Sequence, residues 1–357
     1  MKKILLFFVS GFLSFNTSAQ TLSTFAGNLN LLAYPKGLAF DASANMYVPN
    51  GSHKIIKVTS SGIISNLAGS DLFGSIDGVG KNASFYNPSS VAIDASGNTY
   101  VADSQNNKIR KITPSGVVST LAGSGNAGNA DGTGENASFN SPFAIALDAF
   151  DNVYVADLFN NKVRKITPAG IVSTIAGSGV SGSTDGQGAN ASFSGLFGIV
   201  LDVSGNIYVT NNSLIRKITP SGLVSTFAGS SSPGNTDGVG VNAKFDGPRG
   251  ICIDATGNLY VADTRSQKIR KITPSAVVTT LAGNGEIGYS DGLGANASFN
   301  YPSGIAVDGS GNIYVTDNKT RDSYPLPLVF VFTALAQPIF YLLRVRQVKH
   351  HLKSDKD

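Results

Sequence analysis

The chain has 357 residues, 41 of them glycine, with no tryptophan and a single cysteine. Cys252 has no partner for an intramolecular disulfide, and we expect it to be a small buried residue in the segment Gly-Ile-Cys-Ile-Asp. The net charge of +4 lies at the chain ends. Without Lys2, Lys3 and the last fourteen residues, 20 of 27 basic and 21 of 23 acidic residues remain. A near-neutral body argues against a nucleic-acid partner, because phosphate binding needs an excess of Lys and Arg.

The first predicted element is a secretory signal peptide at residues 1–19. Two lysines, an apolar run from Ile4 to Phe15 and small residues ending at Ala19 have the layout of such a signal, with cleavage after Ala19. The alternative is an uncleaved anchor, although the run is short for a membrane span. The chain is therefore predicted to be extracytoplasmic: secreted, periplasmic or on the cell surface.

A repeated unit fills residues 20–318, which we interpret as one domain. Each copy ends a short apolar segment with an aspartate and has a tyrosine six residues later. The aspartates are Asp41, Asp94, Asp148, Asp202, Asp254 and Asp308, and the tyrosines are Tyr47, Tyr100, Tyr154, Tyr208, Tyr260 and Tyr314. The regular spacing indicates six copies of one structural unit.

Each copy is predicted to form four short antiparallel strands. In the second copy these are Val-Ala-Ile-Asp, Asn-Thr-Tyr-Val-Ala-Asp, Lys-Ile-Arg-Lys-Ile-Thr and Val-Val-Ser-Thr-Leu-Ala-Gly. They are rich in β-branched and aromatic residues and are bounded by turn residues. Four short strands in six copies predict an all-β fold, a six-bladed β-propeller with four-stranded blades. A solenoid is the alternative, but it would need capping repeats.

The N-terminal strand at residues 21–27 is predicted to close the ring. Its sequence, Thr-Leu-Ser-Thr-Phe-Ala-Gly, resembles the strand that ends each of the first five copies, whereas the sixth copy stops after its second strand. Pairing strand 21–27 into the last blade would complete that blade and leave no half-made sheet.

The repeat resembles the NHL repeat over residues 21–318. The resemblance is carried by Gly-Ile-Ala-Val-Asp, Gly-Asn-Ile-Tyr-Val, Ala-Asp and Asn-Lys-Ile-Arg-Lys. Asn-Asn-Lys at 106–108 and 160–162 departs from the name-giving Asn-His-Leu. The resemblance implies a propeller, a fold that hosts binding modules and enzymes alike. Related amidating lyases hold a metal with histidines, but this chain has three histidines, two of them in the tail, so that site is not predicted.

A second motif, Asp-Gly-Val-Gly-Lys-Asn-Ala-Ser-Phe at 77–85, recurs between later blades. A calcium-binding loop would need oxygen ligands at the third and fifth positions, but these are Val79 and Lys81. A phosphate-binding loop is not predicted either, because its lysine occurs in only one copy of the motif. We interpret the motif as a Gly-rich connection. Its Asp and Asn are expected to bond their own backbone, and its Phe to fill the space between adjacent blades.

Polar residues that follow the second strand of each blade are the main candidates for a site. They are Asp103, Asp157, Asn211, Asp263 and Asp317, with Asn50 at the equivalent place in the first blade. Propeller loops gather around a central channel, so these side chains could converge on one ligand. Calcium would suit the oxygens of Asp103, Asp157, Asp263 and Asp317. The alternative is that each side chain caps a turn.

A recurrent arginine in the third strand gives a second candidate set. Its members are Arg110, Arg164, Arg216 and Arg270, and Ile56 stands at this place in the first blade. A band for an anionic ligand is one interpretation. A solvated strand face is the interpretation that we prefer.

The tail at residues 319–357 breaks the repeat. The stretch 326–343 is mostly apolar and precedes a basic cluster, as in a membrane anchor, although Pro327 and Pro338 weaken that pattern. The alternative is a change of reading frame inside the third strand of the sixth blade. If the tail is native, segment 323–332 must supply that strand, and its prolines make it a poor candidate.

The sequence therefore predicts a monomeric, extracytoplasmic propeller that binds a protein, a glycan or a small molecule, without catalytic residues. The alternative is a lactonase-like, metal-dependent hydrolase or lyase that uses the ring of Asp and Asn. Neither the ligand nor a cofactor follows from the sequence.

Overall fold

The fold is given by a computed structural model that describes residues 35–317. It also gives the backbone of three strands outside that range, Ser23–Thr24, Leu328–Phe332 and Phe340–Arg344. The predicted signal at 1–19 and most of the tail at 319–357 lie outside the described residues. Within the described part, regular structure consists of β-strands and single turns of 3₁₀ helix, as predicted for an all-β protein. The same part contains no helix that is long and apolar enough to cross a membrane.

The described strands form six antiparallel sheets, the blades of a β-propeller. The innermost strands are Ala39–Phe40, Ser90–Ile93, Pro142–Leu147, Ile199–Leu201, Pro248–Ile253 and Pro302–Val307. The second strands are Met46–Pro49, Thr99–Asp103, Val153–Asp157, Ile207–Asn211, Leu259–Asp263 and Ile313–Asp317.

The outer half of each blade continues the same up-and-down order. The third strands are Ile55–Val58, Lys108–Ile112, Lys162–Ile166, Leu214–Ile218, Lys268–Ile272 and, in the last blade, Leu328–Phe332. The fourth strands are Ile64–Ala68, Val117–Ala122, Ile171–Ala176, Leu223–Gly229 and Val277–Ala282. In the last blade the third strand begins after Pro327, so the prolines of segment 323–332 precede the strand.

The prediction of four strands per blade holds for the first sheet and is wrong for the other five, which have five strands each. In blades two to five the additional strand comes from the connecting motif. It is the pair of residues Gly78–Val79, Gly132–Thr133, Gly186–Gln187 or Gly238–Val239. Each pair bonds to the start of its blade's fourth strand, and a 3₁₀ turn such as Gly80–Asn82 follows. The connection therefore extends a sheet.

The repeated Asp and Tyr form one hydrogen-bonded turn. In the third blade, Asp148 Oδ1 accepts the N–H groups of Phe150 and Asn152, and Oδ2 accepts Asn152 Nδ2 at 2.8 Å and Tyr154 Oη at 3.2 Å. The other five copies repeat the Tyr bond at 2.9 to 3.3 Å. The invariant spacing of six residues is therefore the reach from the turn to the next strand.

Apolar clusters between adjacent blades form the core. Phe85 is fully buried and packs with Ile55 and Ala68 of the first blade and with Val101 and Ile112 of the second. Its equivalents Phe139, Phe193, Phe245 and Phe299 are equally buried. The predicted role of this Phe as a plug between blades is confirmed, and Cys252 is a buried residue of a similar cluster.

The last blade packs against the first, which makes the structure a closed ring. The rings of Phe40 and Tyr314 lie 4.4 Å apart, and Ala306 lies in one cluster with Leu38. Ser23–Thr24 pairs with Leu328–Phe332 in the last sheet. The rest of strand 21–27 lies outside the described residues, so closure by that whole segment stays a prediction.

Candidate functional site

The predicted ring of Asp and Asn lies at one end of the blades, one strand away from the channel. Pro142 pairs with Asp157, Pro248 with Asp263 and Pro302 with Asp317, which places each carboxylate beside the start of an innermost strand. Asn50, Asp103, Asp157, Asn211, Asp263 and Asp317 are all fully buried. The structure does not bring these side chains together.

Each of these side chains instead bonds within its own blade. Asp157 Oδ1 accepts the N–H of Asn140 at 2.8 Å, and Oδ2 accepts Asn160 Nδ2 and Arg164 Nη1 at 2.7 and 2.9 Å. Burial raises the pKa of Asp157 to about 6 against the opposing effect of these partners, and the pKa values of Asp103 and Asp263 are raised to about 6 for the same reason. These carboxylates hold the connecting segment onto the blade.

The recurrent arginines are fully buried, so the solvated strand face predicted for them is wrong. Arg164 Nη2 donates to Asp131 Oδ1 at 2.7 Å and to the Ala130 carbonyl at 2.8 Å. Nη1 also donates to the Ser138 carbonyl, and the guanidinium lies 5.2 Å from the centre of the Phe139 ring. We call the set Asp131, Asp157 and Arg164, with its equivalents in other blades, the arginine clamp.

The clamp corrects the interpretation of the connecting motif. Its aspartate was expected to bond its own backbone. Asp77 instead accepts Arg110 Nη2 and the N–H of Thr120, a residue of the fourth strand. Equivalent bonds join Asp131 to Arg164, Asp185 to Arg216 and Asp237 to Arg270. The motif and the arginine therefore recur together because they are two halves of one buried contact.

Among the described residues, no group of three or more His, Cys, Asp or Glu could hold a metal ion. Of the carboxylates proposed as calcium ligands, Asp103, Asp157 and Asp263 each pair with the arginine of their own blade. Calcium binding, like ligand binding by the clamp arginines, stays a prediction.

A cavity of about 330 Å³ opens where the innermost strands of the six sheets converge. One position in or just before each innermost strand forms its outer ring, which we call the channel mouth: Lys36, Ser89, Phe143, Phe197, Arg249 and Ser303. Side chains two residues apart on a strand share a face. The ring below is accordingly apolar: Leu38, Val91, Ile145, Ile199, Ile251 and Ile305. A polar and aromatic rim thus stands over an apolar floor.

Two cations face the channel mouth. Lys36 Nζ donates to Asn87 Oδ1 at 2.6 Å. Burial, and then the charge of Arg249, lower the pKa of Lys36 to about 8. Arg249 keeps an exposed part, and partial desolvation in the mouth, followed by the charge of Arg265, lowers its pKa as well. The described residues that line the cavity include no Asp or Glu, so these positive charges have no acidic partner in the cavity wall.

Two aromatic rings form the adjoining wall. Phe143 and Phe197 meet edge to face with centroids 5.1 Å apart, and the Arg249 guanidinium lies 5.0 Å from the Phe197 ring centre. Both rings are half-buried and keep a surface toward the cavity. Aromatic faces beside cations suit a ligand that has both a flat apolar part and a charged group.

The backbone of the mouth is fixed by hydroxyl groups from the preceding blade. Thr316 Oγ1 donates to the Lys36 carbonyl at 2.9 Å, and Thr210 Oγ1 to the Arg249 carbonyl at 3.1 Å. Ser89 Oγ donates to the Phe143 carbonyl at 2.5 Å. The backbone that carries the mouth side chains is therefore hydrogen-bonded to neighbouring blades, which favours a preformed site.

A groove of about 420 Å³ adjoins the mouth and shares Phe197 and Arg249 with it. Its other walls include Asn212, Arg265 and Tyr301. The groove gives room on the same face for a ligand larger than the cavity.

The residues of the channel mouth do not recur from copy to copy, so the repeat pattern does not reveal them. The six copies differ at this position, which reads Lys, Ser, Phe, Phe, Arg and Ser. The residue before it is Pro in five copies, and the residue after it is small in all six. A variable position within an otherwise constant segment is the signal that could have located the site.

Comparisons with known proteins agree with this architecture. A family model described as NHL repeat matches residues 245–272 and 299–321. Human NHL repeat-containing protein 2 is 29% identical over 333 residues, which cover 81% of this chain and 46% of the human protein. The chain thus contains NHL repeats and is similar to NHL repeat-containing proteins over most of its length. SUPPRESSOR OF QUENCHING 1 of Arabidopsis thaliana, a chloroplast protein, is 28% identical over 81% of this chain and 30% of its own length.

The NHL-repeat chain spans less than half of the length of these curated relatives. Among solved structures, an auxiliary nutrient binding protein from Bacteroides thetaiotaomicron is similar, with a TM-score of 0.63 and 17% identity. The match covers 84% of this chain and 74% of that protein. At this identity the likeness shows the propeller fold alone.

Proposed function

We propose that this NHL-repeat propeller is a binding protein that takes a small ligand, or the end of a glycan or peptide, at the channel mouth. The observation that carries the proposal is the ring of non-repeating residues in a repeating fold. Four of its six side chains are cationic or aromatic, whereas the residues on either side of this position are similar in most copies. A nutrient-binding function of the similar Bacteroides protein is consistent with such a role.

Binding without catalysis is the interpretation that the site supports best. The channel mouth offers charge, aromatic surface and hydroxyl groups, but the described residues that line it include no carboxylate, histidine or cysteine for acid–base or nucleophilic chemistry. A metal-dependent hydrolase or lyase remains the alternative, and it would need a metal site formed by other residues than those in the buried clamps.

A thermal-shift panel of neutral sugars, amino acids and organic acids tests the proposal. At least one compound is expected to raise the melting temperature, because a ligand that binds only the folded state stabilises it. The shift should fall strongly in Phe143→Ala and Phe197→Ala, which remove the aromatic wall. Phe150→Ala is the matched control, since Phe150 is 79% exposed in a turn between the first and second strands and lines neither cavity.

Two results would contradict the proposed site. One is a panel without any stabilising compound. The other is a stabilising compound whose shift survives in Phe143→Ala and Phe197→Ala and falls in Phe150→Ala.

We also propose that the protein acts outside the cytoplasm, which the layout of residues 1–19 supports. When the whole chain is expressed in a bacterial host, the exported protein is expected to begin at Gln20, as its intact mass would show. Protein that keeps Met1 and stays in the cytoplasmic fraction would contradict this.

A further inference from the structure

We infer that the channel mouth recognises an organic anion that carries a flat apolar group, such as an aromatic carboxylate. The inference rests on the proposed function, because it names the class of ligand for the same site. It follows from the position of Lys36 and Arg249 beside Phe143 and Phe197 in one cavity.

The first argument is the charge of the cavity. Lys36 and Arg249 come from the first and fifth blades and face the same space, and the described lining supplies no carboxylate to balance them. Burial is the larger cause of the lowered pKa of Lys36, and the charge of Arg249 adds to it. A ligand carboxylate would accept hydrogen bonds from both groups, and such charge-assisted bonds are stronger than neutral ones.

The contrast with the arginine clamps supports the same conclusion. Arg110, Arg164, Arg216 and Arg270 each donate to an aspartate of the connecting motif at 2.5 to 2.7 Å. Arg249 has no such carboxylate in the cavity wall, and its nearest described aromatic partner is Phe197. The clamp arginines are fully buried, whereas Arg249 is exposed, and Asp246 of the adjoining groove pairs with Arg265 at 3.9 Å, so Arg249 is open to a ligand.

The second argument is the shape of the cavity. About 330 Å³ is at the small end of the range of ligand pockets, enough for a molecule with one or two fused rings. The flat group would lie against Phe143 and Phe197, above the apolar ring that includes Ile145 and Ile199. A sugar without an anionic or apolar part would leave both the cations and the aromatic wall without partners.

The test compares naphthalene-2-carboxylate with naphthalene-2-carboxamide by isothermal titration calorimetry. The two compounds have nearly the same shape, and only the first is charged at neutral pH. We expect the carboxylate to bind about 10- to 100-fold more tightly than the amide. Lys36→Met and Arg249→Gln should each lower the affinity for the carboxylate by a similar factor and leave the affinity for the amide nearly unchanged.

Two further variants make the test specific. Lys81→Gln removes an exposed charge of the connecting motif, outside both cavities, and should leave the affinity unchanged. Lys36→Arg keeps the charge and should retain most of the binding. Inorganic phosphate and acetate, which carry charge without a ring, are expected to bind weakly. Tight binding of phosphate that is unchanged in Phe143→Ala and Phe197→Ala would overturn the requirement for a flat group.

The outcomes separate this inference from the proposed function. Equal binding of the carboxylate and the amide overturns the inference but keeps the site. The same holds if neither naphthalene compound binds while a neutral panel compound gives a shift that depends on Phe143 and Phe197. If no compound binds at the channel mouth, both the inferred ligand class and the proposed function are wrong.

Discussion

Replacing Arg164 with isoleucine is expected to lower the free energy of unfolding by about 3–5 kcal/mol, because it leaves Asp157 buried without its cation. Asp157 would keep the N–H of Asn140 and the amide of Asn160, and Asp131 would turn to solvent. Denaturant unfolding of the purified propeller, followed by circular dichroism, measures the loss.

The chain supplies its own control for this experiment. The first blade has Asn50 and Ile56 where the second, third and fifth blades have Asp and Arg, and both residues are buried there. In Asn50, Oδ1 accepts the backbone N–H groups of Ser52 and Lys54. The double variant Asp157→Asn with Arg164→Ile copies that pair, and it should lose less than half as much stability as Arg164→Ile alone.

The loss in Arg164→Ile is also expected to depend on pH. The folded-state pKa of Asp157, about 6, lies above the ordinary value of 3.8, so the folded chain holds this proton more tightly and stability falls as pH rises through that interval. Removing Arg164 raises the folded-state pKa further. The gap between Arg164→Ile and the parent should widen from pH 5 to pH 7, whereas the double variant should not show this trend. A single-variant loss that equals the double-variant loss at every pH would refute the clamp.

Replacing Gly304 with alanine is expected to lower the free energy of unfolding by about 1–3 kcal/mol, and to weaken the contact that closes the ring. A Cβ at Gly304 would overlap the backbone carbonyl of Lys36 in the first blade. The neighbouring Thr316 hydroxyl bonds both the Gly304 N–H and the Lys36 carbonyl. The clash is with backbone, so no side-chain rotation can relieve it.

Gly309→Ala is the matched control in the same blade. A Cβ there meets nothing within 4 Å, and the residue is exposed in a turn. Its unfolding free energy should stay within about 0.5 kcal/mol of the parent. The backbone amides at the start of the innermost strand of the first blade should also exchange hydrogen faster in Gly304→Ala, but not in Gly309→Ala. Equal stability of the two variants would mean that the first and last blades do not meet as closely as the structure shows.

The propeller could be predicted from sequence because its determinants are local and repeated. Asp148, Asn152 and Tyr154 lie within seven residues of one another and form one turn, so their spacing is visible in every copy. The buried Phe85 could be inferred as well, since a constant apolar residue among glycines has few other uses.

The arginine clamp could not be predicted in the same way. Arg164 and Asp131 are 33 residues apart in the sequence and meet because the connection returns to the outer edge of its own blade. The pattern shows that both residues recur but does not show which face of the strand the arginine occupies. The additional strand of blades two to five was not predicted for a related reason. It has only two residues, one of them glycine, and glycine has low strand propensity.

The candidate site depends on positions where the copies differ. A lysine in the first copy and an arginine in the fifth become neighbours only when the ring places all innermost strands around one axis. The predicted ring of Asp and Asn lies on the second strands, where polar residues recur. Recurrence at that strand reflects hydrogen bonds that hold each blade together.

The crystal structure of the protein with bound naphthalene-2-carboxylate tests the central claim most directly. The account predicts the carboxylate within hydrogen-bond distance of Lys36 Nζ and the Arg249 guanidinium, with the naphthalene rings against Phe143 and Phe197. A carboxylate bound instead at Arg110, Arg164, Arg216 or Arg270, or at a metal held by Asp103, Asp157, Asp263 and Asp317, would contradict it.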